Sequence, residues 1–234
     1  MHPVPGGGMA VIIGASGGIG HALHSLLASD QRFQAVAALS RQGDITLDLT
    51  NEASIEAAAH ATAGRNIELR LLIDATGVLE GEGCVAEKTW RQLDAGALAR
   101  AFAINAIGPA LLMKHFLPLL PRSGKAVFAT LSARVGSIAD NRLGGWYGYR
   151  ASKAALNQLV HTAAIELRRT RPEALCVALH PGTVATRLSS RFAKTGLEVQ
   201  PAATAAARLL HVIDTLEAAA SGGFFDQRGR VIDW

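Results

Sequence analysis

Cross-linking and metal chemistry are the first things this chain lacks. Its 234 residues include two cysteines, Cys84 and Cys176. They are too few for a disulfide framework and have no metal-ligand spacing. The eight histidines, among them His21, His24, His161 and His180, form no ligand constellation. No apolar run reaches the ~18 uninterrupted residues that a membrane-crossing helix needs. Residues 1–8 lack the basic start and apolar centre of a secretion signal, and their Pro/Gly character predicts a short flexible lead. A cytoplasmic location follows as the default. Charge is sparse: 18% of residues are charged and the net charge is +4. Lys and Arg are scattered, which permits weak anion attraction but does not describe a nucleic-acid surface. Tyrosine is scarcer still, with Tyr147 and Tyr149, separated by one glycine, as the only two.

What is abundant is apolar surface, at 49% of residues, in a length that suits one domain with a large core. Short apolar runs alternate with longer helical patterns, the mark of a parallel α/β sheet. The pattern predicts strands at Met9–Ile13, Ala35–Leu39, Leu69–Asp74, Lys125–Leu131, Leu175–Leu179 and Gly223–Asp226. It predicts helices at Ile19–Ala28, Ser54–Ala63, Leu98–Leu119, Tyr149–Arg169 and Pro201–Ala219, with a polar helical stretch starting at Lys88–Leu93. No linker or internal repeat interrupts residues 9–234.

The first strand runs straight into Gly14-Ala15-Ser16-Gly17-Gly18-Ile19-Gly20. Strand, glycine turn and helix together are the setting of a dinucleotide-binding loop. Glycines let a pyrophosphate approach the backbone, and the helix start offers free N–H groups and a positive dipole end. Further on, Tyr149 and Lys153 stand four residues apart at the head of a helical run, so they share a face. A cation beside a phenol favours the phenolate and lowers its pKa, which would make Tyr149 a usable proton donor and acceptor.

The glycine spacing, G-x-x-x-G-x-G, resembles that of the short-chain dehydrogenase/reductase family. Further motifs follow in family order: Asp48-Leu49, Asp74-Ala75-Thr76-Gly77, Asn105, Tyr149 with Lys153, and Pro181-Gly182-Thr183-Val184-Ala185-Thr186. The resemblance covers essentially everything from Met9 onward. In the stretch Leu131–Leu156 it is nearest to C-factor-like and sniffer-like carbonyl reductases. It implies a Rossmann-like, doubly wound parallel sheet flanked by helices in three layers. It implies a cofactor held by Gly14, Ser16, Gly18, Ile19, Asp48, Leu49, Ala75, Thr76, Gly77, Pro181, Gly182, Val184 and Thr186, with Tyr149 and Lys153 touching it too. The implied catalytic set is Tyr149, Lys153, Asn105 and a serine. Asn105 would fix a water that links Lys153 to solvent.

Two departures stand out. Asp74 and Ala75 replace the two asparagines of the family segment, so the hydrogen bonds of those amides cannot all be kept. The family's Ser-Ser-x-x-Gly becomes Ser132-Ala133-Arg134-Val135-Gly136, which puts Ala133 where the carbonyl-orienting serine belongs. Ser132, Ser137 or no serine remain the alternatives, with Ser132 favoured if a bulge re-aims it. The second strand ends in Ser40-Arg41, a hydroxyl and a guanidinium suited to a 2′-phosphate, so NADP(H) is expected over NAD(H). His180 either lines the cofactor pocket or is a packed strand-end residue.

The expected reaction is reduction of a carbonyl, or its reverse, on a small-molecule substrate. A short loop of about residues 186–200 predicts an open pocket. Leu143, Trp146, Leu188 and Phe192 either line that pocket or fill a protein interface. The resemblance also implies a homodimer or homotetramer through the two long helices. A cofactor-binding signalling or sensor protein with weak or no catalysis is the rival reading. An extended-family dehydratase or epimerase fits less well, because no large C-terminal substrate region follows.

Overall fold

The structure, a computed structural model, describes residues 3–43, 45–186 and 199–234. In chain order it runs β1 (Gly8–Ile13), α1 (Gly18–Ala28), β2 (Phe33–Ser40), β3 (Ile45–Thr46), α2 (Glu52–Ala63), β4 (Leu69–Asp74), α3 (Ala95–Phe102), α4 (Gly108–Phe116), β5 (Ala126–Leu131), α5 (Tyr147–Leu167), β6 (Ala174–His180), β7 (Thr183–Val184), β8 (Val199–Gln200), α6 (Ala202–Thr215) and β9 (Phe224–Asp226). Seven strands form one parallel sheet in the order β3-β2-β1-β4-β5-β6-β9, and β7 pairs with β8 apart from it. This is the Rossmann-like arrangement the sequence predicts. β1 and β5 are buried along their whole length, because a parallel strand covered on both faces needs apolar side chains at every position.

Alternate residues feed two cores. Val11, Phe128 and Cys176 pack with Leu112, Phe116, Leu156 and Val160 on the side of α4 and α5. Ile12, Val127 and Val177 pack with Leu23, Leu27, Leu209 and Ile213 on the side of α1 and α6. The chain leaves β1 towards β2 on one side and later returns to β4 on the other. The reversal opens a crevice at the C-terminal ends of the strands, the usual ligand position in open α/β sheets.

The structure differs from the sequence expectations in local places. The lead is packed from Val4, which is buried among the α1 and α6 side chains. Lys88–Leu93 holds only a 3₁₀ turn at Trp90–Gln92, capped by Thr89. The long helix starts earlier, at an Asp94 cap that accepts from the Ala97 N–H. It then widens into a π turn over Ala103–Ile107 before α4. Together, Ala95–Leu119 is long and apolar enough to cross a membrane, yet it lies on the sheet with Leu112 and Phe116 fully buried. The loop expected at about 186–200, with Leu188 and Phe192, falls almost wholly outside the described residues.

Candidate active site

The crevice is a cleft of about 750 Å³. Of the residues expected to hold a cofactor, Gly14, Ser16, Ser40, Arg41, Asp48, Leu49, Ala75, Thr76 and Gly77 line it. The loop from β1 turns at Gly14, whose φ of 80 suits glycine, and a Cβ at Gly20 would stand 2.2 Å from the Gly14 carbonyl. Contact that close permits only glycine. No side chain caps the start of α1, which leaves its first N–H groups and dipole end to the loop's surroundings. The segment after β6 reaches the same place: Thr186 Cγ2 lies 3.0 Å from where a Gly18 Cβ would be. Gly182 has φ 78 and leaves no room for a Cβ beside Gln200 and Gln227. Val184 is buried. Ile19 packs at the edge of the α1 core. Asp48 accepts from the Thr50 N–H at 2.9 Å and hydroxyl at 2.8 Å, and those bonds hold its pKa below the usual carboxylate value. These residues could hold an elongated ligand, with any phosphates against the start of α1.

Against Gly77 stands Lys153 of α5, one helical turn after Tyr149. Lys153 is buried, and its Nζ donates to the Leu131 carbonyl at 2.7 Å. Burial lowers its pKa to about 8, opposed by the negative charge of Asp74. Tyr149 does not show the lowered pKa expected from a neighbouring cation. Burial dominates and pushes the phenol up to about 12, while the Lys153 ammonium is turned to a backbone carbonyl. Gly77 is where the pieces meet. A Cβ there would lie 3.4 Å from both Asn105 Oδ1 and Lys153 Nζ. The free face of the backbone at Gly77 therefore opens directly onto the lysine.

Asn105 sits inside the π turn, a feature often found at functional sites. Its Oδ1 accepts from the Val78 N–H at 2.9 Å, and its Nδ2 donates to the Val78 carbonyl and the Ser152 hydroxyl. Both Nδ2 hydrogens are thereby used, while Oδ1 accepts one bond and keeps a second lone pair. Asp74 answers the question raised by its substitution. Its Oδ1 accepts from the Thr76 N–H and hydroxyl, and its Oδ2 accepts from the Thr130 hydroxyl at 2.7 Å. A carboxylate only accepts, and the two threonines supply the donors. Burial raises its pKa despite those bonds.

Ser132 is buried, and its hydroxyl donates to Asn157 Oδ1 at 2.6 Å. That bond ties the end of β5 to α5, four residues beyond Lys153. Ser137 accepts from the Asp140 N–H and shapes a turn. His180 has a buried Nδ1 without a partner and a pKa lowered to about 4, chiefly by burial. Asn157, which the sequence reading passed over, follows Lys153 by four residues on α5. The helical stride that singled out Tyr149 and Lys153 extends to it.

The fold and this site define a class before any relative is considered: a doubly wound, Rossmann-like domain with a half-buried tyrosine one helical turn before a buried lysine. The family model described as enoyl-(acyl carrier protein) reductase matches residues 18–225. The chain belongs to the short-chain dehydrogenase/reductase family of oxidoreductases. It is 31% identical to the 1-hydroxy-2-glutathionyl-2-methyl-3-butene dehydrogenase of Rhodococcus sp. (strain AD45), over 96% of this chain and 98% of that protein. It is 39% identical to the C-signal of Myxococcus xanthus, over 61% of this chain and 81% of that one. The solved NADPH-bound carbonyl reductase from chicken fatty liver superposes with a TM-score of 0.85 at 28% identity, covering 100% of this chain and 96% of that one.

Proposed function

We propose that this chain reduces a carbonyl compound with NADPH, or runs the reverse oxidation, using Tyr149 as acid and base. The observation that carries the reading is the convergence at Gly77. The backbone there is bare and faces Lys153 and Asn105, and Tyr149 stands one helical turn before that lysine. The bed along β1, β2 and β4 fits a dinucleotide: Gly14 and Gly20 leave no room for side chains, and α1 presents an uncapped start. The NADPH-bound relative shares the fold along the whole chain. Ser40 and Arg41 at the end of β2 suit a 2′-phosphate.

Bound NADPH supplies the hydride. The chain itself handles the proton. A phenol held near 12 stays protonated at neutral pH, yet it remains more acidic than the alcohol being formed, so it is set to donate to a developing alkoxide. Lys153, with its pKa about 8, is largely an ammonium at pH 7 and places a positive field one turn away. Asn105 Oδ1, which accepts only the Val78 N–H, keeps a lone pair for a relay water. The test is Tyr149→Phe. Turnover of aldehydes, ketones, quinones or diketones should fall by about 10² or more while the Kd for NADPH stays within about twofold. Undiminished turnover overturns the assignment.

A second reading has its own observation. Ser132 is hydrogen-bonded to Asn157, Ala133 stands where the family's carbonyl-orienting serine belongs, and one relative is named C-signal. NADPH binding without turnover on any of those carbonyl classes would favour a cofactor-binding signalling protein. A homodimer or homotetramer is part of the same proposal. Ile107 and Ile165, each 52% exposed, are the side chains it would cover.

A further inference from the structure

Glu82 occupies an unusual position at the far end of the cleft. Its backbone is left-handed, with φ 54, between Gly81 at φ 92 and Gly83 at φ 84. Gly81 and Cys84 exchange backbone hydrogen bonds of 3.1 and 3.0 Å, which closes a tight turn with Glu82 and Gly83 at its tip. Such turns favour glycine, asparagine or aspartate at both central positions. A glutamate there is strained, and strain of this kind tends to persist where its side chain is used.

The side chain is indeed held. Arg41 Nη2 donates to Glu82 Oε1 at 2.9 Å. Arg100 Nε donates to the Glu82 carbonyl at 3.1 Å, and its guanidinium stands 3.8 Å from the carboxylate. Arg41 follows β2 and Glu82 follows β4, so their ion pair links two walls of the cleft, whose lining includes Ser40, Arg41, Glu82 and Arg100. Both side chains are open to water, at 66% and 42% exposure. A pair of that kind is weak and opens readily.

We propose that Glu82 is a specificity-determining residue, occupying the Arg41 guanidinium that a 2′-phosphate would take and thereby setting how far the site prefers NADPH to NADH. The inference rests on the reading of Arg41 as the 2′-phosphate partner. A phosphate offers Arg41 a doubly charged, bidentate partner and displaces the carboxylate. The displaced Glu82 then remains near the phosphate as a like charge. NADH makes no demand on Arg41, so Glu82 leaves its binding nearly untouched.

The test is calorimetric titration of the protein with NADPH, NADH and 2′,5′-ADP, for the natural sequence, Glu82→Gln, Glu82→Gly and Arg41→Ala. Glu82→Gly suits the left-handed backbone and guards against a folding defect in Glu82→Gln. Both Glu82 variants should bind NADPH and 2′,5′-ADP about twofold to fivefold more tightly, the size of one exposed ion pair. NADH affinity should stay the same, and the gain should shrink in high salt. Unchanged NADPH affinity, or equal changes for NADPH and NADH, overturns the inference and leaves the cofactor reading standing. An Arg41→Ala variant with an unaltered ratio of NADPH to NADH affinity overturns the cofactor reading itself, and the inference with it.

Discussion

Ser132 illustrates how much a single hydroxyl's direction decides. The side chain follows β5 and faces α5, and its proton goes to Asn157 Oδ1. Asn157 Nδ2 is itself buried without a partner. Removing the hydroxyl would leave both ends of that amide unsatisfied. Ser132→Ala should therefore lower stability by about 1–3 kcal/mol, the cost of an unpaired buried polar group. Turnover per folded molecule should change by less than about tenfold, whereas loss of a carbonyl-polarising donor costs about 10² or more. Chemical denaturation and kcat measured on one preparation separate the two roles. The residue types of this site were legible in sequence, because glycine loop, Tyr149, Lys153 and Asn105 keep their spacing along the chain. The aim of Ser132 and the partners of Asp74 were not. They depend on which groups from other strands arrive beside them, as Thr130 does for Asp74.

Among the elements, α5 has the most demanding start. Its N-cap, Trp146, is left-handed and makes no side-chain cap. The cap comes from Glu87 instead. Both carboxylate oxygens lie 3.2 Å from the Gly148 N–H, and the Glu87 carbonyl accepts from Trp146 N–H at 2.5 Å. Glu87 is buried, and its charge sits at the positive end of the helix that carries Tyr149 and Lys153. Gly148 immediately precedes Tyr149, so this cap fixes the phenol's approach. Glu87→Gln keeps an acceptor and loses the charge, which should cost about 0.3–1 kcal/mol. Glu87→Ala should cost about 1–3 kcal/mol and lower kcat more than it alters KM, since substrate contacts remain while the acid moves. An equal loss in both variants, with kcat unchanged in each, would remove Glu87 from the positioning of Tyr149. Sequence could not reveal this cap, because Glu87 and Gly148 are 61 residues apart. It did reveal the central strands, since burial on both faces writes them as unbroken apolar runs. The π turn at Ala103–Ile107 escaped because one widened turn barely disturbs the helical period.

For the whole molecule, the consequence of the topology is that one ligand would touch elements from nearly every part of the chain. The glycine loop follows β1, Ser40 and Arg41 end β2, Gly77 follows β4, Tyr149 and Lys153 come from α5, and Thr186 lies beyond β7 against Gly18. None of these surfaces exists as a unit in the unfolded chain. A dinucleotide that binds there must therefore stabilise the fold by mass action rather than tighten one loop. At a free concentration of 100 times Kd the gain is about 2.7 kcal/mol. For a chain of this length, that corresponds to an increase in Tm of about 5–10 °C. NADPH should produce it, and NADH at equal concentration should produce less, by the amount that Arg41 contributes to the 2′-phosphate. Tyr149→Phe should keep the full shift, since the role proposed for the phenol is proton transfer. A thermal melt followed by circular dichroism reads all three arms. An absent shift with NADPH at millimolar concentration would deny the cleft its dinucleotide, whatever the activity of the protein.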